Sequence, residues 1–274
     1  MHYTDYTPLL YFHEVAGKTL NWYCGDDLEN YNKHNKKGWH YHNSAENLEY
    51  KFNSLGYRTK ELTDVKDDYM LAFGCSYTEG VGLYQEEIWC EKIAKLYDLD
   101  VINLAKAGTG PDIVALNNQL FVKNKFKLPK CVVVQWPHSS RKSFAYIENK
   151  LFENTLRLED RNINWTNVLD EPAETYEMRD SQWYFNRWAV ERGQYNYENL
   201  YHFHSVNNVW NSLNIPVLHW TWDGDFELKF DNDLLTKVKT KMTGRARDMA
   251  HDGPSIHDQV VRQLKDKIKC MISL

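Results

Sequence analysis

No CxxC pair occurs in this sequence, and its five cysteines (Cys24, Cys75, Cys90, Cys131 and Cys270) are odd in number and scattered. That argues against a disulfide framework or a zinc knuckle and favours free thiols in a reducing compartment. No run of about 18 apolar residues is present, so no membrane span is expected. The residues Met1-His2-Tyr3-Thr4-Asp5-Tyr6 lack a basic stretch leading into an apolar one. No secretory signal is therefore visible, and a soluble, cytoplasmic chain is expected. Excess positive charge is also missing: 33 basic residues against 38 acidic ones leave a net charge of −5, with no global pull toward nucleic acid. Neither GxGxxG nor the lysine and spacing of a P-loop occurs, which argues against a phosphate-cradling turn. Repeats and low-complexity tracts are lacking too.

What is present is an ordinary globular composition, 42% hydrophobic and 26% charged over 274 residues, enough for a sizeable core. Residues 1–65 are rich in Tyr, His, Asn and Lys with little helical period, and read as a small β-rich extension of strands and loops. From residue 66 to 274 an alternation sets in. The apolar run Tyr69 to Phe73 reads as a strand, followed by a Gly74–Gly82 turn. A helix fits Glu86 to Tyr97, with Trp89, Ile93, Leu96 and Tyr97 on one face. Val101 to Leu104 is a second strand, and Pro111 opens a helix carrying Ile113, Leu116 and Leu120 inward. Cys131 to Trp136 is a β-branched run of the kind buried on both faces, and Ile215 to Trp220 is a further strand. An insertion is expected around residues 140–180, then mostly helix from Ser181 to Asn214. The last helix runs from Pro254 to about Met271 and stacks Ile256, Val260, Leu264 and Ile268. Strand–helix alternation predicts an α/β fold: a three-layer α/β/α sandwich around a flavodoxin-like parallel sheet.

Gly74-Cys75-Ser76-Tyr77-Thr78-Glu79-Gly80 is the segment that carries chemistry. It sets a serine where a strand ends and a helix begins, between glycines that let the backbone turn sharply. In an open parallel sheet, ligands sit beyond the carboxyl ends of the strands. Ser76, Gly108, Gln135 and Trp136 all follow such ends, and His251 directly precedes the last helix. A serine hydroxyl needs an imidazole to take its proton, and the imidazole needs a carboxylate on its other nitrogen. Asp248 and His251, three apart in a loop, suit those roles; the competing structural reading is a helix-capping carboxylate and a surface imidazole. The backbone N–H groups of Ser76 and Gly108 are the natural oxyanion donors. Cys75, as neighbour of the serine, should point away from the crevice. Trp136, Trp220 and Trp222 stand at strand ends and are expected to line the pocket. His40 and His42 would share one face of a strand and, with His34, could hold a metal, but no carboxylate or cysteine pattern accompanies them. No metal is expected there or at His202 and His204. His257 reads as structural.

These blocks resemble the SGNH (GDSL-type) hydrolase superfamily, in particular its carbohydrate-esterase-like branch. Gly74-Cys75-Ser76 is similar to the first block of that family, Asn103 to Gly108 to the second, and Asp248 to Ser255 to the last. Asn53-Ser54-Leu55-Gly56-Tyr57-Arg58 resembles a segment found just upstream of the first block. The resemblance implies Ser76 as nucleophile, His251 and Asp248 as its partners, and Gly108 as oxyanion donor. It departs from the family at Cys75, where Asp is usual, and at Gln135-Trp136-Pro137, where an Asn donor is expected. Gln135 has the same amide chemistry on a longer arm and is taken as the third oxyanion donor, with His138 also close by.

The expected function is a serine esterase that removes an acyl group, such as acetyl, from a carbohydrate or similar ester, with no cofactor and no metal. The sugar preference rests on the resemblance and on 10 tryptophans and 18 tyrosines. Two rival readings stand beside it: an acyltransferase working through the same acyl-serine, and a non-catalytic carbohydrate-binding or structural module on a degenerate hydrolase fold, which the missing third-block Asn would suit.

Overall fold

Cys131-Val132-Val133-Val134-Gln135 is wholly buried, and its β-branched centre makes it the middle strand of the main sheet. The computed structural model describes residues 9–10, 12, 14–35, 47–124, 126–139, 141, 194–223, 226 and 232–273. Within these, a two-stranded antiparallel ribbon, β1 (Thr19–Leu20) with β2 (Tyr50–Lys51), precedes five parallel strands. They are β3 (Tyr69–Phe73), β4 (Asp100–Asn103), β5 (Cys131–Gln135), β6 (Val217–Trp222) and β7 (Leu235–Val238), in the spatial order β4-β3-β5-β6-β7. Counted within the sheet, that is the doubly wound order 2-1-3-4-5 of a flavodoxin-like α/β fold. The register sets Leu71 beside both Ile102 and Val132, and Val133 beside Leu218.

Alternating side chains of each strand serve opposite faces of the sheet. On one face Leu71, Phe73, Ile102, Val132 and Val134 pack against α4 (Pro111–Lys123) through Ile113 and Phe121, and against α5 (Gln194–Ser212) through Phe203, Val206 and Trp210. On the other, Met70, Ala72, Val133 and Trp220 meet α3 (Trp89–Leu96) and α6 (Pro254–Ile272). The latter helix contributes Ile256, Val260, Leu264 and Ile268, the stripe its sequence predicts. The switch in chain direction falls between β3 and its neighbours β4 and β5. That is where a crevice opens in this topology, and it is where Ser76 follows β3.

Residues before 66 do not stand apart from this core. Leu9, Leu10, Phe12, Leu48, Tyr50, Phe52 and Tyr57 join the same cluster as Leu71 and Phe73. Among the described ones are the two short strands, an eight-residue helix, α1 (Leu28–Asn35), and a three-residue 3-10 turn, Leu62–Asp64. Strand β7 lies beyond the strands that the sequence predicts. The expected insertion around 140–180 (Arg141 apart), the expected helix from 181 to 193, His40, His42 and the side chain of His34 lie outside the described residues. Among the described residues, no helix is long and apolar enough to cross a membrane.

Candidate active site

The turn after β3 is built from beneath by one amide. Gln135, fully buried at the end of β5, accepts hydrogen bonds on Oε1 from the Cys75 N–H (3.1 Å), the Cys75 thiol (3.3 Å) and the Thr78 hydroxyl (3.1 Å). Its Nε2 donates to the Trp136 carbonyl at 3.0 Å. Cys75 therefore faces the sheet, away from the crevice. The expectation that Gln135 donates to an oxyanion does not fit this placement, because its amide is committed to the protein interior. It acts as a brace for the serine turn.

Ser76 opens the four-residue helix α2 (Ser76–Glu79), with the N–H groups of Thr78 and Glu79 both turned back on the Cys75 carbonyl (2.9 Å each). The first amides of a helix have no partner within it. Among the described residues, neither the N–H nor the hydroxyl of Ser76 has a hydrogen-bond partner. Gly80 follows in the left-handed conformation and closes α2 by donating to the Ser76 carbonyl. The buried guanidinium of Arg58 then clamps the descending chain, with Nη1 on the Gly80 carbonyl (2.5 Å) and Nη2 on that of Leu83 (2.7 Å).

The loop after β4 is tied to the same turn. Lys106 N–H (3.3 Å) and the Thr109 hydroxyl (3.3 Å) both donate to the Gly74 carbonyl, and Asn103 Nδ2 donates to the Thr78 carbonyl at 2.6 Å. Ala107 N–H donates to Glu79 Oε2 at 2.6 Å. Gly108 adopts φ +78°, and its N–H has no hydrogen-bond partner among the described residues.

Asp248 and His251 form a bonded pair. Asp248 Oδ2 hydrogen-bonds His251 Nδ1, and its Oδ1 accepts the backbone N–H of Ala250 (3.2 Å) and of His251 (3.0 Å). The aspartate is buried, whereas the imidazole is partly exposed, its side chain at 17%. The capping alternative does not apply, since Gly253 is the N-cap of α6. With Nδ1 engaged, Nε2 is the nitrogen left to exchange a proton. This loop rests on the serine turn. Arg247 N–H donates to the Gly82 carbonyl at 3.0 Å, and the ring of Tyr77, next to Ser76, stands 5.1 Å from that of His251. No hydrogen bond joins the Ser76 hydroxyl to the imidazole; such bonds commonly tighten only with substrate bound.

Behind this contact, Asp26 binds Arg247 through both carboxylate oxygens, with both residues fully buried, and Tyr50 donates its hydroxyl proton to Asp26 while accepting the Gly82 N–H at 2.8 Å. Burial, and then the Asp26 carboxylate, hold the Tyr50 phenol well above its ordinary pKa. Sequence reading missed Asp26, Glu79, Lys106 and Arg247, and gave Arg58 no role of its own. A lone charge in a turn looks like a solvated one until its burial is known.

The three tryptophans divide. Trp136 and Trp220 are fully buried, so neither lines an open pocket. Trp136 donates to His219 Nδ1 (3.1 Å) and stacks on Phe226, while Trp220 meets Trp89 edge to face. Trp222 is 8% exposed and touches Tyr77, with ring centres 5.7 Å apart, so it alone of the three borders the serine turn. His257 is structural: its Nδ1 accepts the first N–H of α3, from Trp89, at 3.0 Å. Among the described residues, no group of three or more His, Cys, Asp or Glu is arranged to hold a metal ion. A cavity of about 280 Å³ bordered by Lys60, Glu91 and Asp100 lies at the opposite, amino end of the strands. Compared with known proteins, the chain matches no protein-family model and no curated relative.

Proposed function

We propose that the protein is a serine esterase acting on small acyl esters, in the manner of the SGNH hydrolases its sequence blocks resemble. The observation that carries this reading is the hydrogen-bonded Asp248–His251 pair seated against the turn that bears Ser76. Ser76 Oγ attacks the ester carbonyl carbon while its proton passes to His251 Nε2. Asp248 holds the imidazole tautomer through Nδ1 and stabilises the imidazolium. The carbonyl oxygen becomes an oxyanion facing the free N–H groups of Ser76 and Gly108, each such donor being worth about 3 kcal/mol of barrier. Collapse breaks the bond to the leaving alkoxide, which takes the proton from His251. Water then attacks the acyl-serine, gives its proton to His251, and the acid leaves as Ser76 recovers that proton. This scheme needs no third donor from Gln135. Among the described residues, Tyr77, with Trp222 behind it, is the aromatic edge beside the serine turn for an acyl group or a sugar.

Hydrolysis of an aryl acetate and covalent labelling by a fluorophosphonate test the reading. Turnover and labelling at Ser76 are expected in the wild type, with both lost in Ser76→Ala and turnover strongly reduced in His251→Asn. Equal turnover by wild type and Ser76→Ala, or labelling at another residue, overturns it.

A further inference from the structure

Glu79 is a fully buried acid placed at the end of the serine helix, where an apolar residue would carry no such desolvation cost. Its two oxygens do different things. Oε2 accepts the Ala107 N–H at 2.6 Å, a short charge-assisted bond, and lies within reach of the Tyr23 hydroxyl. Oε1 faces Lys106 Nζ at 3.6 Å, itself on a side chain only 2% exposed. That ammonium is enclosed by rings from the first part of the chain, with Phe12 and Tyr23 at 4.8 Å and Phe52 at 5.1 Å from their centres. Neither Nζ nor Oε1 makes a hydrogen bond. A buried pair satisfied so incompletely is a poor device for stability, because replacing such pairs by apolar groups is often neutral.

It is a good device for geometry. Ala107 immediately precedes Gly108, and Glu79 lies three residues beyond Ser76 on one short helix. The Glu79–Ala107 bond therefore closes a rigid loop whose two ends are the free N–H groups of Ser76 and Gly108. We propose that Glu79 is a positioning residue: through Ala107 it sets the Gly108 N–H at the spacing from the Ser76 N–H that one oxyanion requires. Lys106 is its counter-charge, and the rings of Phe12, Tyr23 and Phe52 hold Lys106 in place. The inference rests on the esterase reading and on these two amides as its oxyanion donors.

Two variants separate reach from charge. Glu79→Asp keeps both charges but withdraws the acceptor from Ala107; Glu79→Gln with Lys106→Met keeps an acceptor oxygen at full reach and removes both charges. A misplaced donor is expected to lower kcat on an aryl acetate about 10- to 100-fold in Glu79→Asp, with KM unchanged and the fluorophosphonate labelling rate falling in step. The double variant is expected to recover most of that loss. Wild-type kcat in Glu79→Asp, or equal losses in both variants, overturns the proposal. Should either variant fail to fold, amide hydrogen exchange on the wild type decides: phosphonylation of Ser76 is expected to slow exchange at Gly108, and an unchanged Gly108 overturns the inference. A labelled Ser76 with any of these negative results sinks this inference alone, whereas a wild type that neither turns over nor labels sinks the esterase reading and this inference with it.

Discussion

Asp26 grips Arg247 from 221 residues away, its Oδ1 and Oδ2 each 2.9 Å from Nε and Oδ2 a further 2.5 Å from Nη2, with no solvent access to either side chain. The same guanidinium stacks on Trp22 at 4.0 Å. Removing one partner strands a buried charge. Asp26→Asn should therefore lower unfolding free energy by about 3–5 kcal/mol, while Asp26→Leu with Arg247→Met should lose far less. Urea unfolding of the three proteins measures it, and equal losses in single and double variants would contradict the pairing.

Gly82 sits where a side chain has no room. Its φ is +77°, and a Cβ there would come within 2.7 Å of Ala246 Cβ and 3.0 Å of the Arg247 nitrogen. Gly17 has a similar φ of +68° with open space around it. Gly17→Ala should cost only the left-handed penalty of about 1–2 kcal/mol. Gly82→Ala should cost roughly 3 kcal/mol and also depress the proposed turnover of an aryl acetate, because the displaced atoms belong to the loop that carries Asp248. Melting temperatures and kcat of the two variants make the comparison; similar behaviour of both speaks against the docking of that loop on Gly82.

Gln135→Leu should destabilise the protein by roughly 2–3 kcal/mol, since it leaves the Cys75 N–H and the Thr78 hydroxyl without their buried acceptor. It should also slow Ser76 labelling, as the turn loosens. A loss of labelling with no loss of stability would return Gln135 to the oxyanion.

Acid should weaken the fold through two core histidines. Burial pushes His257 down to about 3 from an ordinary 6.5, with Lys92 adding to it; Glu87, Asp258 and His251 are the other charges facing it. His219 is pushed equally far by burial, then by His204. In the unfolded chain both take a proton near pH 6.5, whereas the folded protein resists it until about 3. Their contribution is therefore complete above pH 6.5 and is lost as pH falls toward 3, by up to about 1.4 kcal/mol per pH unit for each histidine. His257→Asn keeps an acceptor for the Trp89 N–H but cannot titrate there. Its urea midpoint should fall less than the wild type's between pH 7 and about pH 4.5; parallel falls would exclude His257 as a source.

The sheet was legible because β3 and β5 are apolar runs buried along their whole length, with Val-Ile in β4 and Val-Leu in β6 repeating the pattern beside them. Strand β7, Leu-Thr-Lys-Val, is four residues at a sheet edge, too short for alternation to register. Helix α1, Leu28–Asn35, is polar almost all round and offers no stripe to read. Ser76, Asp248 and His251 could be picked out as candidates from residue type and local spacing, and the structure bonds Asp248 to His251 beside the turn that bears Ser76. Depth was not legible: Trp136 does follow the end of β5, but Trp220 stands inside β6, and Phe203, Phe226 and Trp89 cover the two rings. Nor was direction, as with the Gln135 amide. The buried charges Asp26, Glu79, Lys106 and Arg247 have partners set by the tertiary fold, so no local pattern announces them.

Because Asp26 closes on Arg247 across 221 residues, the packing of Phe12, Tyr50, Phe52 and Tyr57 around that pair cannot be completed until the segment bearing Arg247 has been made. Until translation delivers Arg247, Asp26 has no cation to meet, and the greasy side chains around it must wait unshielded. Such long-range closure slows folding and exposes the nascent chain to aggregation, so production at low temperature or with chaperones should favour native yield.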